Sequence, residues 1–392
     1  MDKKTIKKVG MLFAIAALIL TAVIIRGSIR VFADNGETVR VSTAKQLKAA
    51  IKRADVGTII FRTEAYINVT IKADENAKTK SLIIDAPNVN FTNKAVFSDI
   101  KIRSAKKYIE SVSGNRISIY DNDILDGFFV SKKKKVKKLT ILNSYGEFRN
   151  NYTLRKGAKI EELELIYTGE FYPVKSSYDK SKRQLTIEGF YYDDDCIYII
   201  KLDKNGRMVS IDCESDSQET YYSELFSYDS NGNLIRIIGT DNMYGKFTKE
   251  ITYSGNLEQK SIYKGEYEST VYISSYDENG RLAHREFTGE DSSDGEILVY
   301  SSINVFEYDK NGRLIYDRWD SVEGDTFYET SYTYNSKGFL TMLYDNSSGS
   351  VTVYEYKYNK AGSMIEFTQK FDGQNETQTY EYDEFGDLID VN

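Results

Sequence analysis

On either side of the heptad Tyr308-Asp309-Lys310-Asn311-Gly312-Arg313-Leu314, apolar and polar residues alternate with the period of a half-buried strand. Near-copies return to the C-terminus at Leu202–Met208 (LDKNGRM), Tyr228–Leu234 (YDSNGNL), Tyr276–Leu282 (YDENGRL), Tyr334–Leu340 (YNSKGFL), Tyr358–Met364 (YNKAGSM) and Tyr382–Leu388 (YDEFGDL), with worn copies at Tyr253–Leu257 and Tyr178–Leu185. Their glycines, Gly206, Gly232, Gly255, Gly280, Gly312, Gly338, Gly362 and Gly386, are spaced by 26, 23, 25, 32, 26, 24 and 24 residues. That period accommodates two strands and two turns. Asp-x-Asn-Gly predicts a type I turn followed by a glycine at positive φ, a three-residue hairpin loop with a G1 bulge. Tyr308 then faces Leu314 and Phe306 faces Tyr316. The resulting aromatic face also carries Phe226, Tyr228 and Leu234, and Tyr332, Tyr334, Leu340 and Met342, while Ile235, Ile315, Ile365 and Ile389 occupy one matching position on a mixed opposite face.

Upstream the pattern changes. Thr38–Ser42 predicts a short strand, and Thr43-Ala44-Lys45-Gln46 has the form of a capping box. Leu47, Ala50, Ile51 and Ala54 fall on one face of a helix of about three turns that Gly57 ends. Short apolar or alternating runs follow at Thr58–Phe61, Ile67–Ile71, Ser81–Ile84, Val96–Ile102, Asn115–Tyr120, Phe128–Val130, Leu139–Leu142 and Ile160–Ile166. Stacked β-coils produce this spacing, and an antiparallel sandwich is the alternative. A capping helix that feeds such coils, with Ser81-Leu82-Ile83-Ile84-Asp85-Ala86-Pro87 and then Phe97-Ser98-Asp99-Ile100-Lys101-Ile102, resembles the N-terminal end of right-handed parallel β-helices of the pectate-lyase-like class. The resemblance covers 38–167. No set of acidic calcium ligands with a basic proton acceptor matches the one that β-helix enzymes of that class carry along a groove.

The tandem heptads resemble the YD-repeat, or Rhs-like, family over about 200–392, on Tyr-Asp-x-x-Gly-Arg-Leu as it stands at 276–282 and 308–314. In that family long hairpin arrays wind into a hollow shell that often encloses a toxic C-terminal domain. Here the repeats are too few to close such a shell, and the expectation is an extended, twisted hairpin sheet. Thirty-two Tyr and nineteen Phe against two Pro agree with an all-β chain, since aromatic rings pack well on a pleated surface.

Charge divides the chain. Lys3, Lys4, Lys7 and Lys8 precede an uncharged run from Val9 to Ile25, and Val31-Phe32-Ala33 completes the form of a secretory signal peptide over 1–33. An uncleaved run of that length would instead anchor the chain in a membrane. Residues 34–170 hold 25 Lys/Arg and 17 Asp/Glu, net +8; residues 171–392 hold 21 and 41, net −20. The expected organisation is therefore a leader at 1–33, a basic β-helix-like domain at 34–170 and an acidic repeat array at 171–392.

The strongest candidate for chemistry is the run Lys132, Lys133, Lys134, Lys135, Lys137 and Lys138, either a solvated turn or a contact for an anionic polymer. Outside a cell that polymer would be a wall polymer or an acidic glycan, and nucleic acid is not expected. The Asp-x-Asn-Gly turns lack the later ligands of a calcium loop, so no metal is expected. Asp193-Asp194-Asp195 and the insertion Gly289–Glu296 (GEDSSDGE) read as solvated loops or as loose calcium sites, and the Tyr ladders at Tyr354, Tyr356, Tyr358, Tyr380 and Tyr382 read as cross-strand packing or as sugar platforms. Cys196 and Cys213 flank a repeat turn. If Leu202 faces Met208 and the ladder continues unbroken, Cys213 faces Ile197 and Cys196 points to the other side, which disfavours a disulfide; a two-residue turn would reverse this. His284 is the only histidine, and no catalytic constellation, phosphate-binding loop or cofactor motif accompanies it. The expected function is that of a secreted, non-enzymatic repeat protein that binds extracellular or cell-surface polymers. A polysaccharide lyase or hydrolase that uses a β-helix groove, and an accessory or truncated shell component of a toxin system, are the alternatives.

Overall fold

The computed structural model describes residues 36–391 apart from 121–126, 144–151, 168–174, 192–193, 216–220, 242–244, 293–296, 323, 325, 361 and 383–387. The expected leader, Asp193, the turn at Gly386 and the tip of the acidic insertion lie outside the described residues. No helix among those described is long and apolar enough to cross a membrane.

The helix Ala44–Lys52 opens with the expected capping box. Gln46 N donates to Thr43 Oγ1 at 3.2 Å, and Thr43 N donates to Gln46 Oε1 at 3.1 Å. Leu47, Ala50 and Ile51 are buried, but the helix ends before Ala54, which is exposed. The side chain of Lys80 draws the chain away, its Nζ donating to the carbonyls of Arg53 at 2.6 Å and Val56 at 2.8 Å. Gly57 therefore lies in the strand Val56–Arg62 rather than at a helix end. It allows a backbone contact there: a Cβ on Gly36 would lie 2.5 Å from the Gly57 nitrogen.

From Glu37 to Tyr167 the strands pair in parallel, which excludes the antiparallel sandwich. The coils stack in register, so equivalent residues form rows. Val39, Ile59, Leu82, Ile100, Ile117, Leu139 and Leu163 make one row of the core. A second face carries Val69, Phe91, Tyr108, Phe128 and Tyr152. Its rings stack inside the coils, Phe91 on Tyr108 at 6.0 Å and Tyr108 on Phe128 at 5.4 Å.

One polar cluster interrupts this interior. Glu110 accepts hydrogen bonds from Tyr108 Oη at 2.9 Å, Asn93 Nδ2 at 3.1 Å, Asn115 Nδ2 at 3.3 Å and the Val112 backbone at 3.1 Å. Burial pushes its carboxyl up from 4.5 to about 7, against these donors, which act to lower it.

The strands from Lys175 to Val391 form one 18-stranded sheet in strict sequence order, with antiparallel neighbours throughout. The predicted turn geometry is present. In the repeat at 308–314, Gly312 has φ +81°, Gly312 N donates to Asp309 O at 2.9 Å, and Asp309 N donates to Arg313 O at 2.9 Å. Tyr308 faces Leu314, but the next pair is Glu307 with Tyr316, so Ile315 is an extra, unpaired residue. This second bulge returns in each of the other six heptad copies, for example at Val209, Ile235, Thr341, Ile365 and Ile389, whereas the worn copy at Tyr178–Leu185 pairs without one.

The second bulge corrects several expectations because one added residue turns everything beyond it to the other face. Phe306 faces Asp317, not Tyr316, and Leu343 rather than Met342 shares a face with Tyr332. Cys213 faces Tyr198, not Ile197. Cys196, two residues along from Tyr198, therefore shares the buried side of the sheet with Cys213. The two are diagonal neighbours, about 7–8 Å apart, too far for a disulfide. Both remain thiols.

The heptad tyrosines Tyr228, Tyr276, Tyr308, Tyr334 and Tyr382 tie their repeats to the preceding ones. The Tyr308 hydroxyl donates to Leu282 O at 2.9 Å, and Tyr334 donates to Leu314 O at 2.8 Å. In each case the acceptor is the carbonyl just before the extra residue. Asp309 Oδ1 accepts from the backbones of Asn311 at 2.8 Å and Arg313 at 2.9 Å, while its Oδ2 takes Arg313 Nε at 2.6 Å. The Arg313 guanidinium then lies 4.7 Å over the Tyr334 ring, and Arg281 lies 4.8 Å over Tyr308.

Several repeat turns dock on the coils. Ile160 N donates to Asn205 O at 2.8 Å, Lys156 N to Asn231 O at 2.9 Å, and Tyr66 N to Gly338 O at 2.8 Å. Between the turns at Gly232 and Gly338 the sheet advances by eight strand spacings, about 38 Å, whereas their docking points are four coils apart, about 19 Å. The sheet bows away from the stack between those anchors.

Three outcomes test this architecture. At Gly232, φ is +89° and a Cβ would lie 1.9 Å from Leu154 O, whereas at Gly255 (φ +62°) it would meet nothing within 4 Å. In chemical denaturation Gly255→Ala is expected to cost about 1 kcal/mol, the conformational term alone, and Gly232→Ala clearly more. Intact mass is expected to be identical with and without reductant, with both thiols reacting only after unfolding. The Glu110 carboxyl is raised in the folded state, so its stabilising contribution is complete below 4.5 and is lost as pH rises through about 7. The stability difference between wild type and Glu110→Gln is expected to move against wild type by about 3 kcal/mol across that window, and a difference independent of pH would refute the assignment.

Candidate functional site

Coil stacking builds the lysine run into a corner. Lys134 N closes a turn on Ser131 O at 3.0 Å, Lys133 adopts φ +61°, and Lys133 N donates to Lys156 O at 3.1 Å in the next coil. Lys159 N returns a bond to Lys134 O at 2.9 Å. Lys132–Lys135 therefore sit directly over Lys156 and Lys159. Farther up the stack, Lys72 and Lys94 occupy successive coils at the matching corner, where Lys94 N donates to Ile71 O at 2.9 Å and Arg155 N to Val130 O at 3.0 Å.

The six predicted lysines are not equivalent. Lys132, Lys133, Lys135 and Lys137 are exposed, Lys134 is partly so, and none of the five forms an ion pair among the described residues. Lys138 turns away from them, its Nζ 2.7 Å from Glu164 and 3.5 Å from Glu162. Its hydrogen bond to Glu164 raises its pKa above the ordinary lysine value. Those two glutamates also line a cleft of about 290 Å³ with Leu163, Tyr178, Lys180 and Leu185 at the last coil. Lys72, Lys94, Lys156 and Lys159 escaped the sequence reading because none belongs to a run: Lys72 and Lys94 are 22 residues apart, and Lys156 and Lys159 are separated by Gly157 and Ala158. A search at the coil period would have found them.

The other candidates have structural partners. The Asp277 carboxyl is held below the usual range, first by the Arg281 backbone N–H, so its oxygens already serve the turn. No group of three or more His, Cys, Asp or Glu placed to hold a metal occurs among the described residues. His284 lies on the strand Leu282–Asp291 facing Ser275, with Nδ1 3.9 Å from Glu286. In the Tyr ladders, Tyr356 packs on Phe367 at 5.4 Å, Tyr354 on Phe367 at 5.9 Å and Tyr358 on Phe339 at 4.8 Å. Cross-strand packing thus engages these rings.

No protein-family model matches this chain, and no curated protein matches it. Among solved structures, the crystal structure of TcdB2-TccC3-TEV is similar at 14% identity over 55% of this chain and 15% of that one, with a TM-score of 0.29. The crystal structure of TcdB2-TccC3 without its hypervariable C-terminal region matches at 12% identity over the same shares, with a TM-score of 0.30. A porin-like protein from Bacteroides uniformis matches at 12% identity over 52% of this chain and 91% of its own, with a TM-score of 0.25. This chain thus spans 15% of the length of the first two, both of them TcdB2-TccC3 chains.

Proposed function

We propose that this chain is an exported, non-enzymatic binding protein that holds an extended anionic polymer, a wall polymer or acidic glycan, along its lysine corner. Residues 34–170 form the polymer-binding half in this reading, and 171–392 form an acidic scaffold. The coils wind right-handed, as parallel crossover connections almost always do. Export rests on the basic and apolar pattern of residues 1–33.

The observation that carries the reading is the backbone-locked corner, where Lys132–Lys135 lie over Lys156 and Lys159 without ion-pair partners among the described residues. Coils repeat at about 4.8 Å, so Lys132–Lys135 over Lys156 and Lys159, and Lys72 beside Lys94, set positive charge at two stretches of the stack with the lysine-free coil Ser111–Asn115 between them. A linear polyanion can meet several of them together. Such a field is sequence-independent and weakens as salt rises.

A second reading, an accessory or truncated shell component of a toxin system, draws on the bowed hairpin sheet. Protease protection of a co-expressed cargo protein would favour it.

Titration of the mature chain with long-chain polyphosphate and polygalacturonate tests the first reading. Binding is expected at low ionic strength and is expected to fall with added salt. The quadruple variant K132Q/K133Q/K134Q/K135Q should bind at least about tenfold more weakly, and Lys138→Gln should change affinity less than about twofold because its charge is already paired. Unchanged binding by the quadruple variant would refute the site. Release of unsaturated or reducing ends from polygalacturonate would replace binding by the enzyme reading.

A further inference from the structure

The parallel coils and the antiparallel sheet do not share a ladder. The last strand of the coils, Leu163–Tyr167, pairs with Lys138–Asn143, and the first strand of the sheet, Lys175–Asp179, pairs with Gln184–Tyr191. Among the described residues no backbone hydrogen bond joins the two facing edges. The cleft of about 290 Å³ lies at this junction, lined by Glu162, Leu163 and Glu164 from the coils and by Tyr178, Lys180 and Leu185 from the first hairpin. Neither the fold nor the lysine corner uses it.

Both walls are held by their own hydrogen bonds. On the coil side, Lys138 Nζ lies 2.7 Å from Glu164 Oε2 and 3.5 Å from Glu162 Oε1, and Thr140 Oγ1 donates to Glu164 Oε2 at 3.0 Å. These contacts orient one oxygen of each carboxylate and leave the other, Glu162 Oε2 and Glu164 Oε1, able to accept from a ligand. The two side chains keep 43% and 39% of their exposure, so a ligand can reach them. On the sheet side, Asp179 Oδ1 accepts from the backbones of Ser181 at 2.9 Å and Lys182 at 3.1 Å, which fixes the turn that carries Lys180. Tyr178 faces Leu185 across that hairpin, and Leu163 and Leu185 are both buried, giving the cleft an apolar floor.

Charge in the cleft cancels, two carboxylates against Lys138 and Lys180. A metal ion or an anion would meet no net counter-charge there. A hydroxyl both donates and accepts, so a ring of hydroxyls can serve the carboxylate oxygens and an ammonium at once. The volume lies at the lower limit of small-molecule pockets, about 300 Å³, which suits a single ring. We propose that this cleft binds one neutral sugar ring, its hydroxyls donating to Glu162 and Glu164 and accepting from Lys180, with the apolar floor and the Tyr178 ring beside its C–H face. The site differs in chemistry from the lysine corner, where net positive charge does the selecting, and it does not depend on that reading.

Saturation-transfer NMR titration of the mature chain tests the assignment, with the methyl glycosides of glucose, galactose and mannose as neutral probes and galacturonate and glucosamine as charged ones. At least one methyl glycoside is expected to bind, more tightly than either charged sugar. Glu162→Gln should weaken that glycoside about fivefold or more and favour galacturonate over glucosamine, because the cleft then carries a net positive charge. Lys180→Gln should reverse that order. Lys182→Gln, on the same turn but outside the cleft, should change each affinity by less than about twofold. Failure of all three methyl glycosides to bind, full affinity in Glu162→Gln, or an effect of Lys182→Gln equal to that of Lys180→Gln overturns the proposal.

Discussion

The repeat half depends on one backbone constraint, the extra residue that follows each turn. A bulge takes one residue out of the ladder, and a backbone carbonyl left without a donor is costly. The Tyr hydroxyl of the following repeat meets the carbonyl just before the extra residue, as Tyr308 does at Leu282 and Tyr334 at Leu314. That bond sets the distance and rotation between hairpins. Asp and Arg complete it, since Asp309 orients Arg313 and Arg313 covers the next ring. The heptad is therefore a joint between repeats as much as a turn.

The joint makes a sheet that is longer than the stack it leans on. Anchored at the last coils through Gly206 and Gly232, and again near the first through Gly338, the sheet must bow. Glycine is needed at Gly232 because the Leu154 carbonyl occupies the place of a side chain. The two halves share one continuous hydrophobic core, running from Leu47 in the capping helix to Phe226 in the repeats.

Opposite charges are kept apart by this arrangement. Lysines collect at a coil corner that stacking holds open, whereas carboxylates and tyrosines collect where the sheet returns.

The all-β class, the repeat turns, the capping box and the run of stacked coils could be read from the residues, because each depends on neighbours within a few positions. Gly312 must take a positive φ after Asp-Lys-Asn, and Thr43 with Gln46 must cap whatever helix follows. The lysine run was likewise visible as a local cluster. What tertiary structure alone decided lies beyond that range. The second bulge has no signature of its own, yet it moved Tyr316, Met342 and Cys213 to faces opposite those expected. Lys156 and Lys159 joined the lysine corner only through stacking, and Tyr66 met Tyr334 only because the repeat at Gly338 docks on the first coils. Local periodicity determines which elements form; register shifts and long-range docking determine which side chains meet.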